Sequence, residues 1–372
     1  MRRIRVAWDN SLAGRNLGGT GVYATELIRH LKMASDLSLE VFDQWNIARG
    51  NRDRGARVIQ GITSLFWTHF YFPRLLRTRQ YDVLHSPSFV TPFGCPCPSV
   101  VTVHDLTYRI FAAHFDRSWQ VYLRCVMPII LRSASAVICV SEHSKQDLLR
   151  YYNVSAKKVY VVYNGIDHSR FNPGNRINPD WATRVGLNRD YVLHVGALSY
   201  RKNIPTLLRA VAQLRSKGKF GNRQLVLAGP NNPALAGANE VYETVEQLDL
   251  ASTVLFLGRV PDEHLPSLYA GASVLAMPSL YEGFGFPVLE SMAVGTPVVA
   301  SNTSSLPEVC GEAAALVPAD DADSMAEAIE EILTNRCRAE SLKELGLARA
   351  AQFSWERTTR ETITIYRAIL GC

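Results

Sequence analysis

Short apolar runs alternate with helix-like stretches along this chain in a pattern that stops once and then restarts. The stop is the run 164–179, Asn-Gly-Ile-Asp-His-Ser-Arg-Phe-Asn-Pro-Gly-Asn-Arg-Ile-Asn-Pro. Dense in Asn, Gly and Pro, it sustains neither a helical nor a strand period and reads as a linker. Before it, strands are predicted at 4–8, 83–85, 99–103, 136–140 and 159–162. After it they are predicted at 191–195, 224–228, 254–257, 273–277 and 297–300, with a helical run at 322–333 and an amphipathic one at 355–370. Strands alternating with helices specify parallel sheets joined by crossovers. The expected fold class is therefore α/β, two Rossmann-like doubly wound parallel-sheet domains. A length of 372 residues accommodates two domains of ordinary size. The boundaries are placed at 1–168 and 169–354, with a terminal helix in 355–372 that can pack back on the first domain. Open parallel sheets bind ligands beyond the carboxyl ends of their strands, so two such domains facing across a cleft would put the chemistry there.

Charge is uneven. Residues 1–170 hold 22 Lys/Arg against 12 Asp/Glu, a balance of +10, whereas 171–372 hold 18 against 22, a balance of −4. A basic half attracts nucleic acid, an anionic membrane or an anionic substrate alike, and only motifs choose among them. The basic residues are scattered and no recognition module is visible, so nucleic acid is not expected as a partner. Seven cysteines, an odd number at irregular spacing, fit a reducing cytoplasm. Cys95-Pro-Cys97 has no second pair or nearby His to complete a zinc site, and no chemistry is assigned to it. No stretch approaches the roughly 20 apolar residues of a spanning helix; even 126–140 is interrupted by Pro128 and Arg132. The run 64–79, aromatic and then basic, can rest on an anionic leaflet or form an ordinary core helix with a solvated basic end.

Three motifs carry candidate chemistry. Gly18-Gly19-Thr20-Gly21 stands between a strand and a helix starting at Val22. Glycines there let backbone amides approach a phosphate or sugar, although the spacing is not that of a dinucleotide fingerprint and a plain tight turn remains open. Arg201-Lys202 lies just beyond a strand and before a helix that Asn203 can cap, with Pro205 in its first turn. An Arg fork beside a mobile Lys charge suits a diphosphate. Glu282-Gly-Phe-Gly-Phe-Pro-Val-Leu-Glu290 follows a strand. Pro287 and Gly295 bracket a helix there, placing Glu282 in a loop and Glu290 inside the helix, so the two carboxylates have different surroundings.

The Glu, seven residues, Glu arrangement enclosing Gly-Phe-Gly-Phe-Pro resembles that of the retaining glycosyltransferase family 4, of GT-B fold. The resemblance runs in order along the chain: Gly18 to Tyr23, Val103-His104-Asp105-Leu106, Val140-Ser141-Glu142-His143-Ser144-Lys145, Asn164-Gly165-Ile166-Asp167, Arg201-Lys202-Asn203 and Ser305-Leu306-Pro307-Glu308-Val309. It implies that Arg201 and Lys202 hold a donor diphosphate and Glu290 the nucleotide ribose. It implies that Glu282 and the backbone of Gly283, Phe284 and Gly285 hold the transferred sugar. His104 would reach that sugar, and the amides of Gly18 and Gly19 would meet phosphates or acceptor. One departure is Ala197, where some branches carry Arg; the phosphate duty then rests on Arg201 and Lys202.

The reaction so implied moves a hexose from a nucleoside diphosphate sugar to a saccharide or lipid-linked acceptor hydroxyl, with retention at the anomeric carbon. Resemblance to bacterial mannosyltransferases of polysaccharide assembly makes GDP-mannose the first expectation for the donor and a UDP-sugar the second. Neither metal nor cofactor is expected; the one Asp-x-Asp spacing, Asp321-Ala322-Asp323, lies at the start of the helical run 322–333. The expected location is cytoplasmic, with peripheral contact at the inner face of an anionic membrane left open. Two other classes share parts of this pattern: a GT-B sugar-nucleotide epimerase, which needs no acceptor, and a binding lobe without turnover, against which the intact Glu282, Glu290, Arg201, Lys202 and His104 argue.

Overall fold

A computed structural model describes residues 3–11, 18–43, 66–115, 117–188, 190–230 and 236–372. The chain divides into two compact units. The first comprises Met1–Arg109, Asp116–Gly165 and Trp355–Cys372; the second comprises Ile110–Phe115 and Ile166–Ser354.

The first unit is built on β1 (Ile4–Asp9), β2 (Leu37–Phe42), β3 (Val83–Ser86), β4 (Ser99–Val103), β5 (Ala136–Cys139) and β6 (Val159–Val161). They form one parallel sheet in the order β2-β1-β3-β4-β5-β6. Every residue of β3, β4 and β5 is buried, as parallel strands covered on both faces require. The helix Trp355–Leu370 belongs to this unit and buries Trp355, Thr358, Thr362, Ile365 and Tyr366.

The second unit carries β7 (Tyr191–Val195), β8 (Gln224–Ala228), β9 (Val254–Gly258), β10 (Val274–Met277), β11 (Val298–Ser301) and β12 (Ala315–Val317). Its parallel order is β12-β11-β10-β7-β8-β9, the doubly wound arrangement whose winding reverses between β7 and β10. Leu207 and Val211 from one helix and Ile329 from another pack with Leu225 and Val299 of the strands into its core.

Three local expectations change. The sheets contain β2 and β12, which the apolar pattern does not announce; each ends its sheet, and several of its residues are only partly buried. The glycine run is not a loop before a helix: the helix begins at Gly19, with Gly18 at its N-cap. The amides of Gly21 and Val22 donate to the Gly18 carbonyl at 2.9 and 3.1 Å. Asn203 precedes the helix Ile204–Ser216 with φ 50°, but its side chain makes no cap bond. Its Nδ2 donates to the Ala319 carbonyl at 2.6 Å instead.

Candidate active site

The loops after β7 and β10 meet where the winding of the second sheet reverses, the place at which such sheets bind ligands. After β7 the chain passes Gly196 and makes a tight turn, Tyr200–Lys202. Lys202 is 5 % exposed, and its Nζ donates to Glu282 Oε1 at 2.6 Å. Arg201 Nη1 donates to Glu282 Oε2 at 2.8 Å and to the Tyr281 carbonyl at 3.2 Å. Ser279 Oγ adds a third donor to the carboxylate, 2.7 Å from Oε1. The backbones are joined too, the Leu280 amide donating to the Arg201 carbonyl at 2.8 Å. The sequence separates these two motifs by about 80 residues; the fold makes them one ion cluster.

Two glycines and two serines make this packing possible. A Cβ on Gly196 would stand 2.8 Å from Lys202 Cε, so the glycine leaves the channel through which the lysine stem passes. Gly285 caps the helix Phe286–Val294 at φ 107°, a conformation that favours glycine. After β11, Ser304 Oγ accepts the Glu282 amide at 2.9 Å, with Ser304 itself at φ 53°. A non-glycine residue held there stores strain that its surroundings must over-determine. Ser305 Oγ reaches the carbonyls of Glu282 and Phe284, each at 2.9 Å.

The electrostatics follow from this geometry. Burial alone would raise the Glu282 carboxyl, but the Lys202 ammonium and Arg201 guanidinium outweigh it and hold it at about 2. Lys202 is lowered because the desolvation of its ammonium exceeds what Glu282 returns. Attraction thus prevails over burial at Glu282 and burial over attraction at Lys202, the opposed balance that buried ion pairs show. Counting formal charges, the cluster carries one excess positive charge, the sign an anionic ligand requires. Beneath it, His194 on β7 is fully buried, with Nδ1 3.0 Å from the Ala276 carbonyl. Burial, then the neighbouring Lys202, keep its imidazole neutral by holding it at about 4.

Glu290 occupies the interior of the helix Phe286–Val294, and Tyr269 donates its hydroxyl to Glu290 Oε2 at 2.6 Å. Burial raises the carboxyl, against the Tyr269 hydrogen bond and the Arg170 charge. The two glutamates therefore differ as their positions require, Glu282 held down by cations and Glu290 pushed up by desolvation. Gly283, Phe284 and Gly285 lie between them at the start of the helix.

His104, Gly18 and Gly19 lie in the first unit, around strand ends of its own sheet. His104 follows β4, and its Nε2 is 2.8 Å from the Pro87 carbonyl. A carbonyl only accepts, so Nε2 bears the proton and Nδ1 is left as an acceptor. Burial lowers the imidazole, consistent with this neutral form. Asp105 faces its own loop, its Oδ1 accepting from the Thr107 amide at 3.0 Å and from the Thr107 hydroxyl at 2.6 Å. Gly19 opens the helix, and the first amides of a helix have no intrahelical acceptor.

Sequence reasoning did not single out Tyr269, Ser279, Ser304 or His194. The Ser-Asn-Thr-Ser-Ser run at 301–305 was the available signal for Ser304; nothing in the local pattern marks Tyr269. Cys95 and Cys97 are free thiols with their sulfurs 3.7 Å apart. Among the described residues no group of His, Cys, Asp or Glu is arranged to hold a metal, and no helix is long and apolar enough to cross a membrane. Of the aromatic-basic run, residues 64 and 65 lie outside the described residues. Farther along it, Phe66 and Phe70 are 60 % and 56 % exposed.

The two doubly wound parallel sheets have the architecture of the GT-B fold, and the second holds a cation pair and two glutamates at its reversal point. Residues 17–170 match Glycosyltransferase Family 4 and residues 178–349 match Glycosyl transferases group 1. The chain is 31% identical over 296 residues to O-antigen chain mannosyltransferase B of Escherichia coli, covering 79% of this chain and 76% of that protein. It is 29% identical over 302 residues to D-inositol 3-phosphate glycosyltransferase of Corynebacterium diphtheriae, covering 77% and 70%. In fold it is similar to sucrose-phosphate synthase from Thermosynechococcus elongatus, with a TM-score of 0.79, 24% identity, and coverage of 99% and 100%. The chain belongs to glycosyltransferase family 4.

Proposed function

We propose that this glycosyltransferase transfers a hexose, first of all mannose from GDP-mannose, to a hydroxyl of a saccharide or lipid-linked saccharide, with retention at the anomeric carbon. The observation that carries the reading is the Arg201–Glu282–Lys202 cluster, one positive charge in excess, at the reversal point of the second sheet. Arg201 and Lys202 hold the donor diphosphate and stabilise the charge that grows on it as the glycosidic bond breaks. Glu282 keeps both cations aimed in the absence of donor and accepts hydroxyls of the transferred sugar, beside the backbone of Gly283, Phe284 and Gly285. Glu290, with one oxygen tied to Tyr269, takes the ribose diol through the other. His104 Nδ1 accepts a sugar hydroxyl, and the amides of Gly18 and Gly19 meet phosphate or acceptor oxygens. The acceptor attacks from the face the nucleotide leaves, and a departing phosphate oxygen takes its proton.

The mannosyltransferase resemblance supports GDP-mannose, at 31% identity. Scanning fluorimetry against GDP, UDP, ADP and their sugars separates the donors, since a ligand of the folded state raises the melting temperature. The largest rise with GDP and GDP-mannose supports the reading; a UDP-sugar preference replaces the donor but keeps the site. NMR of the product then reports the anomeric configuration, and an inverted product refutes retention. Conversion of the donor sugar to an isomer without acceptor identifies an epimerase instead. The cation pair takes the part a metal would play, so transfer proceeds in EDTA. Complete loss there, restored by manganese, refutes metal independence.

The exposed Phe66 and Phe70, with Arg77 on the following helix, support peripheral contact with an anionic membrane on the cytoplasmic side. Flotation with anionic liposomes at low salt tests it, and failure to float removes it.

A further inference from the structure

The first unit contains a chain of buried polar groups that none of these roles uses. Tyr366, on the terminal helix, has its hydroxyl 2.5 Å from His85 Nδ1 on β3. His85 Nε2 lies 2.9 Å from Thr102 Oγ1 on β4, and Thr102 Oγ1 lies 3.0 Å from the hydroxyl of Tyr23 on the helix that begins at Gly19. All four side chains are 0 % exposed. Trp8 closes over the imidazole of His85, ring centroids 4.6 Å apart. At the far end, the Tyr23 ring meets the His104 ring edge-on, at 4.9 Å and 83°.

Apolar side chains would fill this space without the cost of desolvating four polar groups. A satisfied polar network gives fixed geometry instead, since each hydrogen bond accepts only one arrangement of its neighbours. His85 is neutral, burial and then the nearby His104 holding it at about 3. A neutral imidazole has one N–H and one lone pair. Both are used when Tyr366 donates to Nδ1 and Nε2–H donates to Thr102. The chain carries no charge, and its effect is on position. His104 is then held on three sides: by the Pro87 carbonyl on its ring, by Ser144 Oγ donating to its own carbonyl at 3.0 Å, and by the Tyr23 edge.

We propose that Tyr366, His85, Thr102 and Tyr23 are positioning residues that fix the His104 imidazole, so that the terminal helix sets the geometry of the residue facing the sugar. The inference rests on the role given to His104 above. Tyr366→Phe breaks the link to His85 and Thr102→Val breaks both links that Thr102 makes, each while keeping shape. They are made singly, in the wild-type chain and in His104→Ala, and assayed for nucleotide release from GDP-mannose, or from a UDP-sugar if the nucleotide panel selects uridine. Expected is a fall in kcat of about tenfold for each in the wild-type chain. The affinity for the free nucleoside diphosphate stays within about twofold, and no further loss appears in His104→Ala, because residues acting as one unit are not additive. Losses that multiply with His104→Ala, or full kcat in both single variants, overturn the relay. Full kcat in His104→Ala alone overturns the role of His104 and the relay with it. Thermal midpoints separate a general loss of folding from either result, and two variants guard against one failing to fold.

Discussion

Lys202 Nζ lies 2.6 Å from Glu282 Oε1, with Lys202 and Glu282 both only 5 % exposed. Each charge is tolerable only because the other is there. The two motifs of the candidate site are therefore also each other's structural support, and altering one alters the surroundings of the other.

Glu282→Ala leaves the Lys202 charge buried and unpaired, which costs about 3–5 kcal/mol for a buried pair. Lys202→Met in the same background removes the orphaned charge and recovers most of that loss. Urea denaturation of the two single variants and the double variant measures it; equal instability of Glu282→Ala and the double variant would deny the pairing.

Acid should expose the same pair. Glu282 titrates at about 2 in the folded chain against an ordinary value of 4.5. The folded state binds its proton less readily than the unfolded state does, so its contribution is complete above about pH 5 and disappears as the pH falls to about 2. Its size is about 3 kcal/mol on the conversion of pKa difference to free energy. Stability measured by denaturant across that window falls steeply in the wild-type chain and less so in Glu282→Gln.

Gly196→Ala tests the channel for the lysine stem. The added methyl would sit 2.8 Å from Lys202 Cε, and the stem is fixed at its far end by Glu282. Overpacking of this kind costs about 1–3 kcal/mol. Displacement of the ammonium should also weaken nucleoside diphosphate binding by roughly tenfold, about 1.4 kcal/mol. Unchanged affinity by calorimetry would show that the stem has room to move.

Much of this architecture was legible because buried parallel strands are continuous apolar runs. β4 and β7 are predicted with the bounds the structure gives them. β2 and β12 were not, since a sheet edge needs no unbroken apolar run: Leu-Ser-Leu-Glu-Val-Phe alternates polar with apolar, and Ala315–Val317 is three residues long. At the site, Pro287 and Gly295 announce the helix that holds Glu290 and leaves Glu282 in the loop before it, because their backbone demands are local. The union of Arg201 and Lys202 with Glu282 was illegible, since it arises from the adjacency of β7 and β10. Tyr269 was hidden for the same reason, reaching Glu290 from a separate helix.

In the proposed function, the loops after β7 and β10, with the helix that follows, bind a sugar nucleotide through Lys202 and Glu290. Isothermal titration of the preferred nucleoside diphosphate into the wild-type chain, Lys202→Ala and Glu290→Ala tests it most directly. Both variants should bind at least about tenfold more weakly, a loss of about 1.4 kcal/mol or more, while remaining folded by circular dichroism. Wild-type affinity in both folded variants would contradict it.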